Sequence, residues 1–77
     1  SLAMATLYFS IANLILLGVN IIGVMQHNPT FGVVSAILLA VAGITGRLTK
    51  NTNIFLFWLS LGLAALYAAL AGLAFVL

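Results

Sequence analysis

The sequence predicts an all-α integral membrane protein built from three transmembrane helices in an up-down-up, antiparallel arrangement. Three observations carry this expectation. None of the 77 residues is Asp or Glu, and Arg47 and Lys50 are the only residues with a fixed positive side chain. Hydrophobic residues make up 66% of the chain and charged residues 3%, where a soluble domain is about a quarter charged. Such a surface belongs in lipid. Third, two short polar segments divide the chain into three apolar stretches. The length fits one compact unit covering residues 1–77 and is too short for two domains.

The first stretch, 2–25, is long enough to cross a bilayer, since a spanning helix needs about 20 apolar residues. It lacks a basic segment ahead of it and exceeds the length of a signal-peptide core, so it reads as a true span. Gln26-His27-Asn28-Pro29-Thr30 ends it. Asn-Pro initiates turns and disfavours the α conformation before the proline, and Thr30 is the expected N-cap of the second helix. That helix, 31–48, is near the lower length limit and should stand upright or end with Arg47 snorkelling to the interface. Arg47 and Lys50 fall at its C-terminal end, where the helix dipole favours cations. Asn51, Thr52 and Asn53 are candidate caps for the third helix, 54–77. Turns this short make neighbouring helices antiparallel.

Both basic residues lie between the second and third spans. The positive-inside bias therefore puts loop 47–53 and the N-terminus on the cytoplasmic, stromal or matrix side. Phe55, Phe57 and Trp58 follow the basic loop, and Tyr8 and Phe9 lie at a matching depth; aromatic residues favour such interfaces.

In lipid, close packing and interhelical hydrogen bonds hold helices together. Ser60, Ala64, Ala68 and Gly72 recur every four residues in the third span, and Gly32, Ala36, Ala40 and Gly43 form a similar stripe in the second. The expectation is that the two stripes face each other. Thr6, Ser10, Asn13 and Asn20 share one face of the first span. An unpaired amide in hydrocarbon is costly, so Asn13 and Asn20 should meet protein, pigment, water or another subunit. Tyr67 lies at a depth that would let it reach Asn13.

The residue inventory excludes much chemistry. Without carboxylate side chains there is no general acid–base pair, and no Asp, Glu, Lys, Arg or His lies well inside a span to carry protons. Without Cys there is no disulfide, thiol nucleophile or thiolate metal site. The only base for a serine nucleophile is His27, far in depth from Ser10, Ser35 and Ser60. No enzyme activity is expected. The two cations are too few for a nucleic-acid surface, and no phosphate or dinucleotide motif is present. His27, Asn13 and Asn20 remain as candidate pigment contacts, through imidazole or amide oxygen; chlorophyll, carotenoid and lipid are the cofactors such a surface suits.

The function expected is a small non-catalytic accessory subunit that stabilises a larger membrane complex, in contact with other membrane subunits and lipids. An energy-converting membrane such as the thylakoid suits it, with a photosystem-type complex preferred to a respiratory one and a role in pigment contact or antenna docking. Arg47 and Lys50 lack an acidic side chain within the chain, so their loop is a candidate docking point. Two alternatives stand beside this: an oligomeric uncharged pore or carrier lined by the Thr6/Ser10/Asn13/Asn20 face, and a fragment of a longer transporter, since the first residue is Ser1.

Overall fold

A computed structural model describes residues 2–50 and 53–77. Three helices make up the fold: α1, Leu2–Met25; α2, Thr30–Leu48; and α3, Ile54–Val76. All three are long and apolar enough to cross a membrane. At 1.5 Å per residue, the 23 residues of α3 reach about 35 Å. The 19 residues of α2 reach about 28 Å on the same rise, close to the ~30 Å hydrocarbon thickness. The molecule measures 40 × 20 × 14 Å.

The turns form by capping. Beyond α1, the His27 amide donates to the Val24 carbonyl (3.1 Å) and the Asn28 amide to the Gly23 carbonyl (2.8 Å). This paired closure is a Schellman motif, and it places His27 in the left-handed region, at φ 56°. Lys50 after α2 is likewise left-handed, with φ 59°, and its amide donates to the Arg47 carbonyl. Neither position holds the glycine that such a cap favours.

The start of α2 differs from the expectation. Thr30 is the first helical residue and Pro29 precedes it as the N-cap, without a side-chain cap hydrogen bond. The Thr30 amide instead donates to Asn28 Oδ1 at 3.1 Å. Proline has no amide to satisfy and its fixed φ suits the helix entry, so the capping acceptor moves back to Asn28. At α3, Asn53 is the N-cap and its Oδ1 accepts from the Leu56 amide at 2.7 Å. Asn51 and Thr52 lie outside the described residues.

The closest helix pair is α2 with α3, and α1 rests mainly on α3. Leu39, Ala64 and Tyr67 form the buried centre, with Phe9, Leu16, Ala36, Ala40, Leu63 and Leu70 around it. Two glycines set the α2–α3 distance. A Cβ on Gly32 would sit 2.6 Å from the Tyr67 carbonyl oxygen and 2.7 Å from Ala71 Cβ. A Cβ on Gly43 would sit 3.1 Å from Ser60 Cβ and Oγ. The early part of α2 thus meets the late part of α3, and the late part of α2 meets its beginning.

Candidate functional site

The buried face of α3 comprises Leu56, Ser60, Ala64, Tyr67, Ala71 and Ala74. Its spacing mixes fours and threes, which keeps side chains on one face of a helix with 3.6 residues per turn. A strict spacing of four drifts by about 40° at each step. The sequence stripe therefore divides: Ser60 and Ala64 are buried, whereas Ala68 and Gly72 are exposed. On α2, Gly32 and Gly43 are buried and Ala36 and Ala40 half-buried; Ser35 and Leu39 complete the contact face. Sequence reasoning missed Ser35, Tyr67's central position, Ala71 and Ala74. The signal that finds them is the mixed four-and-three spacing of a helix face.

Polar side chains tie the three helices. Ser60 Oγ donates to the Leu39 carbonyl at 2.6 Å, joining α3 to α2. Tyr67, 1% exposed, donates its hydroxyl to the Asn13 carbonyl at 3.2 Å and lies 3.3 Å from Asn13 Oδ1. This joins α3 to α1. Asn20, also 1% exposed, donates through Nδ2 to the Leu16 carbonyl (2.8 Å) and to Ser35 Oγ (3.0 Å), joining α1 to α2. Its Oδ1 is buried without a partner among the described residues. Leaving such an acceptor unsatisfied costs about 1–3 kcal/mol.

These bonds fix where the candidate pigment contacts lie. The Asn20 amide oxygen is enclosed by the chain's own helices, so a macrocycle has no approach to it. Asn13 is half-buried and spends its Nδ2 on the Phe9 carbonyl at 2.8 Å, while its Oδ1 faces Tyr67. His27 is exposed and its backbone belongs to the α1 cap. The structure therefore does not bring the three together into one site. Nor does the α1 polar face form a continuous lining: Asn20 is internal, and the exposed Ser10 donates back to the Thr6 carbonyl at 2.9 Å.

Two features of the surface stand out. On α3, Gly62, Ala65, Ala69 and Gly72 are exposed and fall on one face, roughly opposite the buried one by the 100° advance per residue. Nothing lies within 4 Å of a Cβ built on Gly62 or Gly72. The second feature is a cleft of about 230 Å³ where the beginning of α1, the end of α2 and the beginning of α3 meet. Ala5, Phe9, Ala42, Gly43, Gly46, Leu56 and Ser60 line it. Near it the Arg47 guanidinium carbon stands 5.9 Å from the Phe57 ring centre, a cation–π distance.

No protein-family model matches the chain, and neither curated proteins nor solved structures include a significant match.

Proposed function

We propose that this chain is a small non-catalytic integral-membrane subunit that packs against the helices of a larger membrane complex and stabilises it. One observation carries the reading: the outer face of α3, with Gly62, Ala65, Ala69 and Gly72 exposed and open space beside both glycines. Transmembrane helices associate through small residues that let backbones approach closely. The inner face of α3 already uses this device against α2, where Gly32 and Gly43 bring the backbones together. The outer face offers the same chemistry to a neighbouring helix.

In this reading the three helices cross the bilayer up, down and up. The basic loop 47–53 and the N-terminus face the cytoplasm, stroma or matrix, following the positive-inside bias. Arg47 and Lys50, both exposed, add a docking point there, directly or through a lipid headgroup held between the surfaces. The chain has no carboxylate side chain, and its interior polar groups are used to join helices, which favours a structural role over catalysis. The parent complex is an energy-converting one, photosystem-type in preference to respiratory. Its pigments or lipids would cover the exposed aromatic and aliphatic surface that includes Phe55, Trp58 and Phe75. Isolation of the native complex in mild detergent, with subunit stoichiometry and an absorption spectrum, tests both levels. Fixed stoichiometry with larger membrane subunits is expected, together with chlorophyll absorption. A complex without chlorophyll removes the photosystem assignment, and a chain that is stable and conducts solute by itself removes the subunit reading. The pore alternative draws less support, because Asn13 and Asn20 direct their amides into the chain's own helices.

A further inference from the structure

We infer that the cleft at the Arg47 end of the bundle binds one acyl chain of an anionic phospholipid, whose phosphate pairs with Arg47 and Lys50. The inference rests on the chain's being embedded in a bilayer, and it is independent of any partner subunit.

Shape and size come first. The cleft is lined mainly by small or apolar side chains from all three helices, with Ser60 the one hydroxyl among them. That hydroxyl is occupied, since it donates to the Leu39 carbonyl. The walls thus ask for hydrocarbon. At about 230 Å³ the cleft is smaller than the roughly 300–1,000 Å³ typical of sites for compact ligands. It accommodates part of a flexible chain and not a ring pigment.

Charge selects the headgroup. Gly46 lines the cleft, and Arg47 follows it directly. The guanidinium lies by the Phe57 ring, and Phe57 directly follows Leu56, another lining residue, in the chain. Lys50 is exposed and is held close to the end of α2 by its left-handed cap. No Asp or Glu exists anywhere in the chain to neutralise either cation. The lining residues also show that the beginnings of α1 and α3 meet the end of α2 here. Two positive helix-dipole ends against one negative end add to the attraction for an anion. An acidic side chain of a protein partner would satisfy the cations but has no use for an apolar cleft beside them. A phospholipid uses both, because its chains are attached to its phosphate.

The test uses the purified full chain in mild detergent, with dioleoyl phosphatidylglycerol and dioleoyl phosphatidylcholine added at equal concentration and retained lipid counted by native mass spectrometry. Wild type is expected to keep one phosphatidylglycerol in preference to phosphatidylcholine by about thirtyfold, the scale of two basic residues near a lipid surface. Arg47→Gln combined with Lys50→Gln should bring the two lipids to equal retention. Ala42→Leu and Ala5→Leu, at exposed positions on the cleft wall, should each lower retention of both lipids several-fold with the helical circular dichroism unchanged. Soluble glycerol phosphate at the same concentration should not displace the bound lipid, since it has no chain to bury. Equal retention of both lipids by wild type, or a preference that survives the double substitution, overturns the inference and leaves the cations to an acidic protein partner. Retention unaffected by both leucine variants overturns the role of the cleft.

Discussion

Gly32→Ala is the most direct probe of what holds α2 against α3. The added Cβ would lie 2.6 Å from the Tyr67 carbonyl oxygen, 2.7 Å from Ala71 Cβ and 2.8 Å from the Ala71 nitrogen. Ordinary carbon contacts fall near 3.5–4.0 Å, so the shortfall is roughly 1 Å. Two of the three opposing atoms are backbone, so no rotamer change relieves the clash. The helices must separate, which also strains the Ser60–Leu39 hydrogen bond across the same interface. Overpacking costs about 1–3 kcal/mol, and alanine recovers up to ~1 kcal/mol of helix propensity over glycine. The net expectation is a loss of up to about 2 kcal/mol against wild type, and of about 1–3 kcal/mol against a Gly→Ala change at an open site. Gly62→Ala and Gly18→Ala carry the same propensity gain with nothing within 4 Å of the new Cβ, so they should unfold no more easily than wild type. The chain has no Cys, so dyes on Thr30→Cys and Val76→Cys report the α2–α3 distance by energy transfer during a sodium dodecyl sulfate titration. Gly32→Ala unfolding at the same detergent fraction as Gly62→Ala would refute the reasoning.

Three further outcomes follow from the polar ties and the caps. Tyr67→Phe removes the hydroxyl that reaches Asn13; interhelical bonds in membranes average about 0.6 kcal/mol, so the same titration should show a loss of that order, and no loss at all would show the bond to be idle. Asn20→Leu deletes two donated bonds but also the unpartnered Oδ1, and Ser35 can turn to its own helix; stability should stay within about 1 kcal/mol, and a loss of several would mean that the amide oxygen has a partner. His27→Gly relieves a left-handed residue at φ 56° and should stabilise the α1 cap by up to about 1 kcal/mol. A spectral change in the native complex on that substitution would instead make the imidazole a pigment or metal ligand.

The helices were legible because lipid imposes a simple length rule and the chain marks its turns with Gln26–Thr30 and Arg47–Asn53. All three elements begin and end within a residue of the expected bounds. The Tyr67–Asn13 contact was legible from depth alone, since both residues sit mid-helix with few polar competitors. The packing face was harder. Small residues occur on both sides of α3, and a run at strict fours joins the inner pair Ser60 and Ala64 to the outer pair Ala68 and Gly72. Nothing in the residue types separates them; the helical advance does. The Asn20–Ser35 bond links residues 15 apart across a turn, and it depends on how α1 leans against α2, which no local pattern encodes. The cleft is a further consequence of helix placement, set by the gap that Ala42, Gly43 and Gly46 leave near Phe9 and Ala5.

The central claim is that the outer face of α3 docks this chain onto a larger membrane complex. Gly72→Leu tests it most directly, because the site is exposed and a Cβ there meets nothing within 4 Å. The measurement is the stoichiometry of the tagged chain in the complex isolated from native membranes, beside the unfolding midpoint of the purified chain. The account predicts an unchanged midpoint and a loss of most of the chain from the complex. Full incorporation of the Gly72→Leu chain, with its fold intact, would contradict it.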